Sequence, residues 1–574
     1  MLSAVNKSGC KRSISLLPRF KFEYVIRYYT SKEIGKQTQT QLKFTEDSDF
    51  AFRKDEIKQL SFAEQDIKFY PTFKSCIESL TEGISTFEKL RIPEFRTKYS
   101  SVTSDNINEY VNDPIYIMNG KIKSIRRAGK GSIFIDVYQD FTKVQFIIHH
   151  KIMNITKEEF IKLHNNFKPG DQIFGIGKVG ITKVGELSLK LIKPLKLASP
   201  SLHPIPPKFN DIGKINQNRI VDYLVNKESV DIILLRSQII KLIREFLENK
   251  GFLSIETPII CNGNSGANAT PFETNSKSIE QNNDENIKLN LRVAPELWLK
   301  KLIIGGFDKI YEIGKVFRNE GIDSTHNPEF TTCEFYQTFI DLEELMKISE
   351  DIIIFILNNI LKDKRFNKFH ENSQELIKLI NNNGGHFKKI EFLNELKNQT
   401  GIELKFNDLN KDGLIKYWNK IGNLEEGIII EKLSESELIN KLSEKFIEPL
   451  CKDNIPTFIY NIPEILSPLS KSNSQGISYR FEMFINGCEY INAYEEENNP
   501  FKQEYKFLKQ LKNRQDGDLD SLIPDHKFVE FMEWGMPPTG GWGLGIDRLV
   551  MKLSNSSRIE QVLPFGKLND VIKQ

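Results

Sequence analysis

The sequence predicts an α+β protein: a small β-barrel followed by a larger domain of antiparallel hairpins and helices. Three observations lead there. Five short β-rich runs punctuated by glycine fill Ile115 to Leu197. Residues 310–336, IYEIGKVFRNEGIDSTHNPEFTTCEFY, read as two extended segments joined by a polar loop. RFEMFINGCEYINAYEEENN, at 480–499, places Asn486-Gly487 between two further β runs, a strong hairpin signal.

At 574 residues the chain exceeds what one core holds, so two or three domains are expected. A hydrophobic share of 39% and a charged share of 27% fit a globular protein, and no apolar run is long enough to span a membrane. With a net charge of only +2, any RNA partner must be met by local basic patches. The cysteines (Cys10, Cys76, Cys261, Cys333, Cys451, Cys488) form no CxxC and no metal spacing with histidine. That argues against structural zinc and a disulfide framework, and suits a reducing compartment.

Residues 1–30 carry Lys7, Lys11, Arg12, Arg19, Lys21 and Arg27 against the single acid Glu23, with hydroxyl residues between them. That is the profile of an organelle transit peptide, here for the mitochondrial matrix, removed near Tyr28–Ser31. The alternative is a basic tail that touches RNA. Residues 31–100 are read as a helical extension, charged and helical over 46–70 and ending at Tyr70-Pro71.

Residues 101–200 hold the barrel. IYIMNGKIKSI, SIFIDVY, KVQFIIHH, DQIFGIGKVGI and ELSLKLIKPLKL, with a helical stretch at Lys157–Asn166, fit a five-stranded OB-fold. Such a barrel offers a groove where unpaired bases stack on aromatics beside basic side chains, with Arg126, Arg127 and Lys130 as candidates for phosphate contacts.

SPSLHPIPPKFNDIGK is rich in proline and turn formers and opens a linker at 201–228. The larger domain, 229–574, starts with Ser229–Lys250, where Ile232, Leu235, Ile239, Ile243, Phe246 and Leu247 recur at helical spacing. Gly251 closes that helix and FLSIETPII follows as a strand. In the hairpin at 310–336, period-two alternation puts Phe330, Thr332, Glu334 and Tyr336 on one face, with Arg318 leaving the first strand nearby. A bland hairpin would keep that face apolar. Residues about 345–455 read as an insertion without chemistry.

In the second hairpin a two-residue turn would pair Phe484 with Glu489 and Glu482 with Ile491, bringing Glu482 and Glu489 to one face. Two carboxylates so close repel unless a proton or cation sits between them. Beside a triphosphate that cation would be Mg²⁺. Strict alternation, however, turns Asn492, Tyr494 and Glu496 to the opposite face from Glu489.

FRNEG…HNPEFT resembles motif 2 of the class II aminoacyl-tRNA synthetases, in its lysyl-tRNA synthetase version. LRVAPELWLKKLIIGGFDKIYEIGKVFRNEG (291–321) agrees with it. GMPPTGGWGLGIDRLVM (535–551) resembles motif 3, and the helix, glycine, strand and Pro258 resemble motif 1, which in this class builds a dimer interface. The resemblance implies an antiparallel catalytic sheet flanked by helices, with no Rossmann GxGxxG and no P-loop. It implies ATP and lysine as substrates, Mg²⁺ as cofactor, tRNA(Lys) as partner and a homodimer, with no membrane partner.

The resemblance also implies roles. Arg318 and Arg548 are the catalytic arginines, Arg318 bridging the α-phosphate and the lysine carboxylate with its planar fork. Glu320 reads the adenine amine, Phe330 stacks on the ring, and His326 and Asn327 lie at the phosphates. Gly545 allows close approach, and Arg548 covers the ring's other side. Gly266 and Glu296 hold the α-amine, with Asn492 nearby. Glu334, Tyr336 and Glu496 clasp the ε-ammonium, and Tyr494 lines the stem. Glu482 and Glu489 hold the magnesium; bringing Glu489 to the same pocket as Asn492 requires a bulge or twist near Tyr490–Ile491. In the barrel, Arg127 contacts the anticodon backbone, Phe134 stacks on a base, and Gln145 and Glu186 hydrogen-bond bases.

The chain departs from the family pattern at three places. Thr325 stands where an arginine is usual, Ser265-Gly266-Ala267-Asn268 replaces a Gly-Gly loop, and Glu560-Gln561 replaces Arg-Asp. Two rival activities fit parts of the pattern. A relative that only binds RNA would lack the motif 2 or motif 3 arginine, and a lysine ligase acting on a protein would lack the barrel. Both features are present.

Overall fold

The computed structural model describes residues 48–572 except 183, 263–265, 268, 277–288, 423–428 and 516–523. The segment read as a transit peptide, and residues 31–47 of the extension, lie outside the described residues, as do Ser265 and Asn268. The chain divides into two compact units, one ending at Pro204 and the other running from Ile205 to Gln574.

The first unit is the barrel. Strands β1 (Tyr116–Ala128), β2 (Ser132–Gln139), β3 (Thr142–His149), β4 (Gln172–Ile181) and β5 (Leu187–Leu191) close in the order β1-β2-β3-β5-β4-β1. Of these pairings, only β3 with β5 is parallel. Alternation turns Ile133, Ile135 and Val137 inward, where they are buried with Val144, Phe146 and Leu189. The helix Lys157–His164 stands between β3 and β4 in sequence, as an OB-fold requires.

The extension is less separate than expected. Its helix Ile92–Lys98 buries Ile92 and Phe95, and with Tyr99 these join the barrel core. Further upstream, Arg53 is buried and ion-paired with Asp171 at 2.7 Å.

The second unit begins earlier than residue 229. Asp211 and Asn218 cap helices Ile212–Gln217 and Arg219–Val225, inside the expected linker. Arg219 is buried, paired with Asp222 at 2.6 Å, and donates to the carbonyl of Pro564. Proline signals a linker, but the capping residues behind it start structure.

Helix α1 (Lys227–Asn249) buries Val230, Ile232, Leu235, Ile239, Ile243, Phe246 and Leu247, and Gly251 ends it at φ 84°. An eight-stranded sheet follows, built from β6 (Leu253–Ser254), β7 (Lys309–Phe317), β8 (Glu329–Thr338), β9 (Lys388–Glu391), β10 (Thr457–Tyr460), β11 (Arg480–Ile485), β12 (Cys488–Glu495) and β13 (Thr539–Gly545). Their order is β9-β10-β11-β12-β13-β8-β7-β6. Every pair is antiparallel except the two at the edges, β9–β10 and β7–β6.

The helix Leu342–Lys362 falls mostly within the expected insertion, yet it is part of the core. Leu345, Met346, Ile352, Ile353 and Ile356 pack with Phe335, Trp542 and Leu544 of the sheet. The separable part starts later. It gathers around Leu396, Leu414, Trp418, Leu438 and Cys451 in a second cluster that also takes in Ile459 and Phe484 of the sheet, and it contributes β9.

Candidate active site

One face of this sheet forms the floor of a cavity of about 480 Å³. On β8 the expected alternation holds. Phe330, Thr332, Glu334 and Tyr336 line the cavity, while Cys333 and Phe335 are buried on the other face, Phe335 stacked on Trp542 with centroids 4.8 Å apart. Across the ladder Glu334 faces Gly543 and Tyr336 faces Gly541. A Cβ at Gly541 would collide with the Glu496 carboxylate and the Tyr336 ring, so glycine there keeps the floor open.

The bulge anticipated in the second hairpin is present. Phe484 pairs with Glu489, but Met483 pairs with Ile491, and Tyr490 is the extra residue. Glu482 therefore opposes Asn492, not Ile491 as strict alternation gave. The shift brings Glu482, Glu489, Asn492 and Tyr494 into the one cavity.

At one end of the cavity lie two arginines. The Arg318 guanidinium sits 5.2 Å from the Phe330 ring centroid, and its Nε is buried with no hydrogen-bond partner among the described residues. Arg548, on helix α2 (Ile546–Ser554), donates to the carbonyl of Glu489 at 2.8 Å. It also meets His326 Nε2 at 2.8 Å, while His326 Nδ1 lies 2.8 Å from Asp323 Oδ2. The arginine can only donate, so Nε2 accepts and Nδ1 carries the proton toward Asp323. Glu320 and Gly545 line the same end. Asn327 is tied down on both sides, donating to Glu329 O at 2.7 Å and accepting from Leu568 N at 3.0 Å.

Carboxylates and phenols crowd the other end. Tyr494 donates to Glu296 Oε1 at 2.6 Å, and Tyr336 donates to Glu334 Oε2 at 3.3 Å. Gly266, at φ 122°, lies against Glu296 so closely that a Cβ would strike its side chain. Burial, then the charge of Glu296, pushes the Glu334 carboxyl up to about 8 against the pull of Arg318.

Glu496 differs from expectation. It does not line the cavity; it is 1% exposed and ion-paired with the chain's own Lys300. Its carboxyl is held well above the ordinary range, chiefly by burial.

Between the two ends stand Glu482 and Glu489. Arg480 is ion-paired with Glu482, whose carboxyl burial raises to about 7, opposed by Arg480 and aided by the charge of Glu489. The described residues hold no cluster of three or more His, Cys, Asp or Glu placed for a metal. Two hard-oxygen donors beside the Arg548 guanidinium fit Mg²⁺, which commonly takes one or two carboxylates and completes its shell with phosphate and water.

The barrel residues lie in the first unit. Phe134 is half-buried and outside the core cluster, on the same face of β2 as Asp136. Gln145, opposite Asp136, is buried and donates to Glu186 Oε2 at 3.1 Å. Lys143 pairs with the other oxygen of Glu186. Arg127 donates to His164 O at 3.2 Å.

Residues 213–569 match the family model described as tRNA synthetases class II (D, K and N). The chain belongs to the class II tRNA synthetases. The mitochondrial lysine–tRNA ligase of Saccharomyces cerevisiae is 39% identical over 540 residues, 88% of this chain and 91% of its own length. That of Schizosaccharomyces pombe is 39% identical over 467 residues, 79% of this chain and 84% of its own. The lysine–tRNA ligase of Aquifex aeolicus is 38% identical over 457 residues, 78% of this chain and 72% of its own.

In this class II synthetase four residues of the site are not foreseen from the sequence: Lys300, Arg480, Asp323 and Asp547. Lys300 follows Glu296 by one helical turn, a spacing that signals an ion pair. Asp323 sits at Asx-turn spacing before Thr325 and His326, whose amides it accepts. Arg480 precedes Glu482 by two residues on β11, so period two already puts the pair on one face, whereas Asp547 carries no local signal, since its partner Arg236 is fixed by tertiary packing.

Proposed function

We propose that the chain is a lysine–tRNA ligase that couples lysine to ATP and then to tRNA(Lys). The observation that carries this is the two-ended cavity, with Arg318, its buried Nε without a hydrogen-bond partner among the described residues, at one end and an excess of buried carboxylate at the other. In the first step the lysine carboxylate attacks the α-phosphate of ATP and pyrophosphate leaves. In the second the terminal ribose hydroxyl of the tRNA attacks the adenylate and AMP leaves.

Catalysis of the first step rests on positioning and charge. Arg318 bridges the α-phosphate and the amino-acid carboxylate. Phe330 and Arg548 hold the adenine between them, Glu320 reads its amine, and His326 and Asn327 shape the phosphate end. Glu482 and Glu489 would hold Mg²⁺, which would offset phosphate charge when bound. Glu296 and Gly266 take the α-ammonium with Asn492 nearby, and Tyr494 walls the stem. Glu334 and Tyr336 take the ε-ammonium with Glu496 behind them.

Phe134, Gln145, Glu186 and Arg127 form the anticodon surface. The outer face of α1 serves a homodimer, and residues 1–30 address the protein to the mitochondrial matrix. Lysine-dependent ATP–pyrophosphate exchange, followed by charging of tRNA(Lys), tests the activity. A purified, folded chain that exchanges with no amino acid, or with aspartate in place of lysine, overturns it. For the address, a reporter fused behind residues 1–30 should enter mitochondria.

A further inference from the structure

Glu296 opens helix Glu296–Ile304 and Lys300 stands one turn along it, 1% exposed. The Lys300 ammonium lies 2.6 Å from Glu296 Oε1 and makes a second, closer contact with Glu496 Oε2. The rings of Tyr494 and Phe528 flank it at 5.7 and 5.9 Å from their centroids. A lysine this deep would be costly without such partners.

The contacts tie together the two carboxylates that bracket the amino-acid end. Glu296 lines the cavity beside Gly266. The other oxygen of Glu496, Oε1, has no hydrogen-bond partner among the described residues and stands over Gly541 beside the Tyr336 ring. Glu334 is the third acid. The neighbouring cations are already committed: Arg480 to Glu482, and Arg292 to Glu312 at 2.5 Å. Arg318, beside Phe330, still draws on Glu334 through its charge, though no ion pair joins the two among the described residues. Glu296 and Glu496 thus share one resident ammonium, and Glu334 has no ion pair of its own among the described residues.

We infer that Lys300 is a positioning and specificity residue of the amino-acid pocket. Its ammonium holds Glu296 and Glu496 at a fixed separation and neutralises one of the three acids, leaving room for the two positive charges a diamino acid brings. The inference rests on the lysine reading of the pocket. A side chain without an ammonium gives Glu334 no cation to pair with, so neutral side chains forgo the charge pairing that lysine gains and are not refused by shape alone. Lys300 touches no reacting atom; it acts through the two glutamates.

The test is Lys300→Met, close in length and uncharged, in the full chain. Lysine-dependent ATP–pyrophosphate exchange should show a lysine KM raised about tenfold or more, because each charge-assisted contact to the mispositioned glutamates weakens. The ATP KM should stay within about twofold, since Lys300 lies outside the nucleotide end. Lys300→Arg keeps the charge but substitutes a planar fork, and should fold with the same split at a smaller amplitude. A folded Lys300→Met protein with an unchanged lysine KM, or with both KM values raised together, overturns the inference. If Lys300→Met does not fold, Lys300→Arg decides, and an unchanged lysine KM in that variant overturns the inference. Failure of the wild-type chain to exchange with lysine would instead remove the activity itself, so the two failures are told apart.

Discussion

Arg548 Nη2 and His326 Nε2 meet at 2.8 Å, joining the helix after the glycine-rich strand to the loop after Arg318. The contact takes the tautomer with its proton on Nδ1, which Asp323 Oδ2 accepts. Asp323→Asn keeps the size but can present an N–H to Nδ1, favouring the tautomer that faces Arg548 with a second donor. The ATP KM should rise about tenfold or more for the loss of one charged hydrogen bond, with the lysine KM unchanged in the same exchange assay.

Arg318→Ala removes the donor placed beside Phe330 at that end and leaves the buried apolar neighbours intact. Adenylate formation should fall by about 10²–10³ or more, the range for a single donor aimed at developing charge. The melting temperature, read by circular dichroism, should move little. Near-normal exchange would sink the assignment.

The pH dependence follows from Glu334. Its carboxyl lies up at about 8 in the empty pocket, against an ordinary 4.5, so it is protonated at neutral pH until a cation arrives. A raised acid stabilises the empty fold below its unfolded value, and that contribution fades as pH rises through about 8. Lysine binding must expel the proton below that point. The lysine KM should therefore fall as pH rises from about 6 toward 8, and Glu334→Gln should flatten that slope while raising the KM throughout. A wild-type KM that is level across that window would show Glu334 to be ionised already.

Asp547 is a stability position within the same motif as Arg548. It accepts Thr331 N at 2.9 Å and pairs with Arg236, which also donates to Thr331 Oγ1 at 2.8 Å. Asp547→Ala strands a buried guanidinium, at a cost of about 3–5 kcal/mol. Urea unfolding should show the loss in midpoint before activity per folded molecule changes.

For the barrel, Phe134→Ala or Glu186→Ala should lower tRNA charging and spare ATP–pyrophosphate exchange. Glu186 is already oriented by Gln145 and Lys143, so its removal should cost base recognition without unfolding the core. Loss of exchange in a folded variant would show that the barrel surface has another role.

What the sequence discloses here is periodic or motif-borne. Alternation places Phe330, Glu334 and Tyr336 on one face because a strand has only two faces. The barrel follows from five glycine-punctuated runs. What stays hidden depends on contacts between distant residues. The withdrawal of Glu496 behind Lys300 cannot be seen in the sequence, since no local pattern says which of several acids a buried lysine will choose. The helix Leu342–Lys362 reads as insertion because its apolar stripe looks the same whether it covers a satellite cluster or the sheet itself. Proline at 204–207 outweighs the caps at Asp211 and Asn218 in a sequence reading, although the caps carry the structural information.

The strand β9 gives the separable segment a purpose independent of chemistry. Without it, β10 would end the sheet, presenting the open backbone of Thr457–Tyr460, TFIY, an apolar template on which another chain could add. With it, the sheet ends in KKIE, short and charged, and at the opposite margin in the two-residue β6. Excising residues around 388–451 should therefore show itself first as concentration-dependent self-association seen by light scattering, with the central cavity strands β8, β12 and β13 still paired.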